Sequence, residues 1–458
     1  MANLIKTKRG LNIPINGRPI EIIGTSTLPK EFALIPDNYH GVTPKLLVKE
    51  GDEVKAGSPV FYEKQFPGMN FVSPVSGTIK SIIRGERRKI ISVIIESDEK
   101  MTYQQFDKTD LSKSTPDEII AILQQSGLWA YIKQRPYDVI ANPTKTPKAI
   151  FISSFDTAPL APNNDFVMSG QMADFQTGID ALAKIASVQL GVRYGKKSPF
   201  STVKNAVVTE YDGPHPVGNV GVQINHVSPV NKGEVVWTVN PQDLLFIGRL
   251  FNKGIVDLSR LIALTGPNVK SPQYYQTIVG ANIESLLKGN RISGNMSHRF
   301  ISGNVLTGIQ VKGNGWIDPY ATQITVLEDG NDIHELMGWG MPRFRKFSMS
   351  RTFFTFIFET KLMRRLFGNM KYKWDTRLMG GRRAIIMSGE YDKVLPMDIY
   401  PEFLFKAMIT NDLDKMEALG AYEIAPEDVA LCEFVCTSKL PLQQIVRNAL
   451  DYMKKELE

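Results

Sequence analysis

Hydrophobic positions change their spacing along the chain, and each spacing predicts a different kind of element. Residues 45–96 alternate short β-branched runs with turns, and Gly51, Gly57 and Gly77 supply turn conformations that other residues resist. Pro74 stands where an edge strand tolerates proline. We therefore predict a compact all-β sandwich of hairpins over this stretch.

A helical spacing replaces the alternation from about Asp117 onward. The stretch DEIIAILQQSG predicts a helix with a glycine stop, and the runs KAIFISS, AVVTEY and EVVWTV predict buried strands. Further helices are expected over residues 175–190 and 241–252. Strands that alternate with helices indicate a mostly parallel, Rossmann-like α/β sheet.

Two smaller patterns complete the chain. After Asp257, the strand patterns YYQTIVG and NVLTGIQV, with a short helix at 282–287, indicate a small α+β unit of ubiquitin-like β-grasp size. The last segment is helical, with helices predicted at 400–410, 412–419 and 440–457. The sequence therefore predicts a β-grasp unit followed by a C-terminal helical domain.

Length and composition bound the class of protein. A chain of 458 residues exceeds what one hydrophobic core organises, and 43% hydrophobic with 22% charged residues is an ordinary globular composition. No apolar run reaches the roughly 18 residues of a membrane span, and the start MANLIKTKRG lacks signal-peptide architecture, so we expect a cytoplasmic protein. We predict a multidomain α/β and α+β protein divided into residues 1–100, 101–256, 257–330 and 331–458.

The usual motifs of nucleotide, metal and thiol chemistry are weak in this sequence. Gly313–Gly315 lacks the third glycine of a dinucleotide fingerprint and is predicted to be a turn, while Gly191–Lys196 is one residue short of a phosphate loop. The five histidines have no two-ligand spacing on one helix, which argues against a metal site. Cys432 and Cys436 are too few thiolates for an iron–sulfur cluster.

Positive charge is concentrated in one segment. Residues 343–383 hold twelve Lys or Arg against Glu359 and Asp375, a net +10, so the rest of the chain carries 7 minus 10, or −3. Phenylalanines, methionines, Tyr372 and Trp374 are interspersed among these charges. This mixture suits an anionic membrane surface or a partner protein, or else it is a solvated basic face over an aromatic core. No nucleic-acid-binding motif accompanies it, so nucleic acid is not expected.

The most distinctive local pattern is GPHPVGNVGVQINHVSPV, residues 213–230. It places His215 between two prolines, and prolines hold such a loop at low entropy. The histidine then either presents a polar group to a ligand or partner or satisfies backbone groups in a rigid turn. The loop leads to Trp237 and to a helix start at Gln242.

Longer motifs give the chain a family resemblance. The stretch EYDGPHPVGNVGV, followed by NHVSPV and EVVWTVNPQDLLFIGRLF, resembles the NqrA family, one of the subunits of the Na⁺-translocating NADH:quinone reductase. The start RGLNIPINGRP and the C-terminal YDKVLPMDIYPEFLFKAMITNDLDKMEALGAYEIAPEDVALCEFVC resemble the same family. The resemblance covers essentially the whole chain and implies a biotinyl/lipoyl-like barrel-sandwich hybrid and an SLBB-type β-grasp domain.

The resemblance also implies a function. NqrA is a peripheral subunit on the cytoplasmic side of the bacterial inner membrane, in a complex that moves electrons from NADH to quinone and exports Na⁺. The flavins and the iron–sulfur centre belong mainly to the other subunits, NqrB to NqrF. NqrA is associated with the quinone end and with docking to the membrane-embedded NqrB. The resemblance therefore implies that the whole complex is the enzyme and that this chain has no independent catalytic centre.

Related flavin-binding and cluster-binding subunits, the RnfC type and the FMN subunit of complex I, have features that this sequence lacks. Their glycine-rich flavin loop is replaced here by SGLWAYIKQRPYDVI, in which Trp129, Tyr131 and Ile132 would block approach to a phosphate. Of their four cluster cysteines only Cys432 and Cys436 correspond. We therefore expect no flavin, cluster or metal bound by this chain.

The carrier-like hairpin departs from its pattern too. Phe66 stands where biotinyl and lipoyl domains carry the modified lysine, and Lys64 lies two positions early, so the hairpin is predicted to be a packing module. Residues 361–383, preceded by SMSRTFF, are expected to face the membrane or NqrB. The candidates for quinone or partner contact are His215, Trp237, Gln242, Phe66, Phe353, Phe354, Arg364 and Arg365.

A second functional class stays open at this point. A stand-alone, cofactor-free scaffold or adaptor would keep the same carrier-like domain and bind a partner through it. Neighbouring genes for the five other subunits would favour the respiratory complex, and their absence would favour the adaptor.

Overall fold

The computed structural model describes residues 3–108, 110–290, 297–331, 336–341, 343–349 and 353–458. Its strands are β1 (Asn3–Lys6), β2 (Ile23–Gly24), β3 (Glu31–Leu34), β4 (Pro44–Leu46), β5 (Glu53–Val54), β6 (Pro59–Glu63), β7 (Asn70–Val72), β8 (Gly77–Arg84), β9 (Ile90–Ser97), β10 (Ile132–Arg135), β11 (Val139–Ile140), β12 (Ile150–Ser153), β13 (Val188–Arg193), β14 (Val207–Asp212), β15 (Val236–Val239), β16 (Ser259–Thr265), β17 (Gln273–Ile278), β18 (His298–Ser302), β19 (Ile309–Val311) and β20 (Gln323–Glu328).

The helices follow the same chain order. They are α1 (Pro116–Gln125), α2 (Asn164–Val167), α3 (Met172–Ala183), α4 (Val220–Val227), α5 (Pro241–Lys253), α6 (Glu284–Leu287), α7 (Lys361–Phe367), α8 (Pro401–Ile409), α9 (Leu413–Ala418), α10 (Ala430–Val435) and α11 (Leu442–Leu457). Among the described residues, no helix combines the length and the apolar character needed to cross a bilayer.

The N-terminal part is the predicted β-sandwich. One sheet has the order β3-β9-β8-β5 and the other β4-β6-β7, all antiparallel. Their facing sides are apolar, and Phe61 stacks on Phe71 with ring centroids 4.6 Å apart. The alternating pattern of residues 45–96 therefore predicted this region correctly.

The tip of the β6–β7 hairpin is a tight, well-bonded turn. The N–H of Met69 donates to the carbonyl of Phe66 at 2.8 Å, and the carboxylate of Glu63 accepts the N–H groups of Thr43 and Gln65 at 2.6 and 3.1 Å. Met69 is buried and Phe66 is half-buried against the main core. The apolar phenylalanine at this position is thus accommodated by packing.

The same hairpin contacts the α/β part of the chain. Asn70 Nδ2 donates to the carbonyl of Gln125 at 3.1 Å, at the end of α1. A Cβ on Gly127 would lie 2.8 Å from a methyl of Val72, so only glycine allows this close approach. The hairpin therefore packs against the carboxyl end of α1.

The central sheet has the order β1-β14-β13-β12-β15-β10-β11. Its first five strands are parallel and the edge pair β10–β11 is antiparallel, which confirms the mostly parallel sheet. The N-terminal strand β1 was not predicted to belong here, because four residues with one half-buried side chain carry little pattern. Pairing of β1 with β14 is a long-range contact that local spacing cannot show.

One predicted helix was too long. The helix expected over residues 175–190 ends at Ala183, and Val188–Leu190 open strand β13. Apolar residues in this run fit either period, and pairing with β12 and β14 supplies the backbone partners that decide for a strand. Gly191 consequently lies within this strand rather than after a helix, whereas Gly313–Gly315 is the predicted turn, with Gly315 N–H bonded to the Lys312 carbonyl at 2.8 Å.

The third sheet has the order β19-β18-β20-β16-β17-β2, and α6 packs with it. Strand β2 again comes from the N-terminal strap, so the first 24 residues join both the central and the third sheet. The C-terminal helices form a separate core, in which Cys432 and Cys436 are buried. The division at residues 1–100, 101–256, 257–330 and 331–458 stays a prediction.

Candidate functional site

A cavity of about 450 Å³ lies at the carboxyl edge of the central sheet. Strand β12 is flanked by β13 on one side and by β15 on the other. The order in which successive parallel strands are added to the sheet therefore reverses at β12. Ligands of open α/β sheets bind at such a reversal point. The lining comes from the segments that follow β12, β14 and β15 and from the third sheet.

His215 lines this cavity and is held from several directions. Its N–H donates to Asn12 Oδ1 at 2.9 Å, and its carbonyl accepts the N–H of Leu11 at 2.8 Å. Its ring Nδ1 lies 3.1 Å from the hydroxyl of Thr157, and the side chain is only 4% exposed. The backbone of His215 thus satisfies a rigid turn, and its side chain lines the cavity.

The hydroxyl of Thr157 is the hydrogen-bond partner of this ring. Its oxygen accepts the N–H of Gly218 at 3.0 Å and lies 3.1 Å from Nδ1 of His215. In the tautomer in which this hydroxyl donates to Nδ1, the imidazole hydrogen resides on Nε2, which has no hydrogen-bond partner among the described residues. Burial lowers the pKa of His215 to about 4, so the imidazole is neutral at pH 7, and in this tautomer it offers an N–H donor to the cavity.

The low pKa of His215 gives a stability prediction. The unfolded chain binds this proton below about pH 6.5 and the folded chain only below about pH 4, so stability is present at neutral pH and lost as the pH falls through that window. His215→Gln should reduce the stability lost between pH 7 and pH 4.5 by about 2 kcal/mol. Urea unfolding at the two pH values measures it, and equal losses in the two proteins would contradict the assignment.

Trp237 and Gln242 do not line the cavity. The ring of Trp237 is fully buried against Trp129, with centroids 5.1 Å apart and the rings nearly perpendicular. Gln242 donates through Nε2 to the carbonyl of Leu261 at 3.1 Å and is 1% exposed. Among the described residues Trp237 Nε1 and Gln242 Oε1 have no hydrogen-bond partner. Their placement ties β15 and α5 to neighbouring elements.

Several lining residues were missed because the sequence separates them widely. Tyr131 directly precedes β10 and Lys133 belongs to it. Asp243 is in the first turn of α5, and Asp318 and Tyr320 precede β20. Lys133 Nζ lies 4.2 Å from the ring centroid of Tyr320, a cation–π contact. No local sequence motif predicts this group of lining residues, because only the packing of three segments brings them together.

Asp243 pairs with Arg260 at the floor of this group. Arg260 Nη2 donates to its carboxylate and Nη1 to the carbonyl of Ala321 at 2.9 Å, and both side chains are buried. Desolvation raises the pKa of Asp243 to about 6, although Arg260 acts in the opposite direction. Acidification through this pKa stabilises the folded chain, whereas acidification through the pKa of His215 destabilises it. The effect of His215 is therefore measured as the difference between wild type and His215→Gln, in which the contribution of Asp243 cancels.

The remaining candidates lie away from the cavity. Phe66 is in the β6–β7 tip, Arg364 and Arg365 are on the exposed helix α7, and Phe354 is exposed beside it. Phe353 is 7% exposed, with the Arg343 guanidinium 5.5 Å from its ring centroid, and is therefore a core residue of its segment. Residues 350–352 of the predicted surface lie outside the described residues.

No group of three His, Cys, Asp or Glu side chains in the described part of the chain is placed to hold a metal ion. Cys436 Sγ lies 2.9 Å from the hydroxyl of Tyr391. Burial raises the pKa of Cys432, so this thiol stays protonated at neutral pH. Protonated, buried thiols are poor ligands and nucleophiles.

Comparison with known proteins identifies the family. A model described as the NqrA N-terminal barrel-sandwich hybrid domain matches residues 5–98, one described as the NqrA second alpha/beta domain matches 114–256, and one described as the NQRA C-terminal domain matches 261–313. The NqrA protein of the Na⁺-translocating NADH-quinone reductase of Pasteurella multocida is 36% identical over 458 residues, covering 99% of this chain and 100% of that protein. The chain belongs to the NqrA family.

Other members of the NqrA family agree. The protein from Neisseria meningitidis serogroup A is 36% identical over 458 residues, and that from Serratia proteamaculans is 35% identical over 460, each with 99% of this chain and 100% of the relative covered. The family and the predicted barrel-sandwich, α/β and SLBB parts of the fold are confirmed. Membership makes the chain a subunit of an NADH-quinone reductase complex.

Proposed function

We propose that this chain is the peripheral NqrA component of a Na⁺-translocating NADH-quinone reductase, on the cytoplasmic side of a bacterial inner membrane. The observation that carries the proposal is the match along the whole length of relatives that bear this name. In this complex the chain assembles with NqrB to NqrF, docks on the membrane-embedded NqrB and contributes to the quinone end. Electron transfer from NADH to quinone, coupled to Na⁺ export, is the activity of the assembly.

The chain supplies structure rather than a redox centre of its own. Trp129 supports this, because its ring is buried where a flavin loop would need open backbone, and its Nε1 donates to the carbonyl of Ala141 at 2.7 Å. The two buried cysteines support it too. The flavins and the iron–sulfur centre are accordingly assigned to the other subunits.

This assignment has a direct spectroscopic test. The purified chain is expected to show no visible absorbance from flavin or from an iron–sulfur cluster. An absorbance spectrum at known protein concentration, with an acid-extracted supernatant tested for flavin, makes the measurement. A stoichiometric yellow or brown chromophore would contradict the proposal.

A quinone headgroup is the proposed ligand of the cavity. The Nε2–H of His215 and the ammonium of Lys133 are donors that suit carbonyl oxygens, although carboxylates also line the space. Crosslinking of a photoreactive quinone analogue in the assembled complex tests the idea. His215→Gln should lower labelling of this chain, whereas His226→Gln, whose ring bonds the Val222 carbonyl outside the cavity, should not.

Family membership over the whole chain favours the complex over the stand-alone adaptor. Assembly tests this choice, because an adaptor would not copurify with NqrB to NqrF. Affinity purification of the tagged full chain from its native membrane, followed by an NADH-quinone reductase assay, makes the distinction. Copurified activity supports the complex.

A further inference from the structure

Exposed apolar side chains surround helix α7. We call this set the basic-apolar face; its members are Phe344, Phe354, Ile357, Leu362, Leu366 and Phe367, each between 44% and 72% exposed. The rings of Phe344 and Phe354 stack with centroids 5.1 Å apart, so at least these two exposed side chains form one contiguous apolar surface. Apolar groups gathered in this way mark a contact surface.

The acids of this segment are already neutralised. Glu359 accepts bonds from Arg364 and from the hydroxyl of Tyr372. Asp375 accepts from Lys346 and Arg377 at 2.6 and 2.7 Å; burial acts against ionisation there, but these bonds lower its pKa to about 2.

Several cations of the segment have no such partner. Within the described part of the chain, no acidic group lies within ion-pair distance of Arg345, Arg365, Lys371 and Arg382. The segment that carries the face therefore combines exposed apolar side chains with cations that lack an acidic partner among the described residues. That combination complements an anionic bilayer surface.

A second cavity, of about 440 Å³, adjoins this segment. Its charged lining is Arg18, Arg193, Lys196 and Lys371 with Asp156 and Asp165. The carboxylate of Asp165 is taken by the hydroxyl of Ser198 at 2.5 Å, and that of Asp156 by the N–H of Ala158 at 2.7 Å. Arg193 pairs with Asp212 at 3.8 Å, so three cations, Arg18, Lys196 and Lys371, face the two hydrogen-bonded carboxylates and leave a small excess of positive charge in the cavity lining.

Chain continuity joins the cavity to the face. Lys371 lies four residues beyond the end of α7, and the intervening Met370 is 38% exposed and also lines the cavity. A ligand in the cavity would thus have its charged end among Arg18, Lys196 and Lys371. Any apolar tail would pass Met370 and Phe367.

We propose that this cavity binds the phosphate headgroup of an anionic phospholipid while the basic-apolar face enters the interfacial layer of the same leaflet. Arg and Lys meet the phosphate, and exposed Leu and Phe side chains lie among the first acyl carbons. A partner protein would pair these cations with acidic side chains. An anionic bilayer offers phosphates to the cations and acyl chains to the exposed apolar side chains, so lipid suits this surface better. The proposal rests on the proposed function only for its membrane location.

Vesicle binding by the full chain tests this proposal. Sedimentation with phosphatidylcholine vesicles containing phosphatidylglycerol is expected to capture the chain, and raised salt or pure phosphatidylcholine to release it. Arg18→Glu with Lys196→Glu should weaken binding at least about tenfold. Lys55→Glu with Lys288→Glu removes the same charge from exposed positions elsewhere and should change binding less than about twofold.

A second variant tests the face independently of the cavity. Leu362→Ser with Leu366→Ser alters only exposed side chains, so it leaves folding intact and should also weaken binding. Equal binding to pure phosphatidylcholine or an equal loss in the control pair would overturn the proposal, as would binding only to purified NqrB. Assembly with NqrB to NqrF is measured separately, so failure here is distinguishable from failure of the proposed function.

Discussion

Replacing Arg135 by Met is expected to destabilise the contact between the central sheet and the C-terminal helices by about 4 kcal/mol. Arg135 ends β10, and its Nη1 and Nη2 donate to Asp428 and Glu427, each at 2.7 Å. The side chains of Arg135 and Asp428 are 1% and 0% exposed. Removing the guanidinium leaves the Asp428 charge buried without a counter-ion, which is the costly case for an ion pair.

Urea unfolding with limited proteolysis of the C-terminal helices measures this effect. Lys148→Met is the matched control, because its pair with Glu234 spans 3.0 Å but is 40% and 35% exposed, so a change under about 1 kcal/mol is expected. Adding Asp428→Asn to Arg135→Met should restore part of the stability, since the amide keeps an acceptor for the Ala425 N–H without a buried charge. A loss no larger than in the control would refute the argument.

Replacing Gly248 by Ala is expected to destabilise the packing of α3 on α5 by about 2 kcal/mol or more. Helix propensity alone predicts a gain of about 1 kcal/mol, because alanine is the better helix former. The added Cβ, however, would lie 1.8 Å from the carbonyl oxygen of Asp174. Gly178 makes the reciprocal approach, 2.7 Å from the carbonyl of Leu244, so neither helix can move aside without separating the pair.

Thermal unfolding compares this variant with Gly381→Ala, where no atom of the described residues lies within 4 Å of the added Cβ and a change within about 0.5 kcal/mol is expected. Because Asn240 and Asp243 at the start of α5 line the first cavity, a displaced α5 should also reduce labelling by the quinone analogue. A Gly248→Ala chain as stable as wild type would show that propensity outweighs the overlap.

Elements that depend on near neighbours could be predicted from the sequence. Local spacing predicted the sandwich, the alternating strands and helices and the C-terminal helices, because each of those depends on residues a few positions apart. It extended a predicted helix over Val188–Leu190, although these residues form a strand because they pair with β12. It could not show that β1 joins β14, since the partners are about two hundred positions apart.

The site was predictable only in part. The loop around His215 is a compact signal, and the structure places that residue at a cavity. Trp237 and Gln242, chosen by residue type, are core residues. Lys133, Asp243 and Asp318 carry no local motif and were missed.

By itself the sequence determined the family, the kinds of element and the concentration of charge in residues 343–383, since these depend on residue identity and spacing. Only the tertiary structure decided which charges are compensated. Among the described residues, Asp375 and Glu359 are paired while Arg365 and Lys371 have no acidic partner, and Arg135 is buried while Arg364 is exposed. Coulomb interactions and desolvation depend on distances between segments remote in sequence, so packing had to fix those distances before either cavity acquired its chemistry.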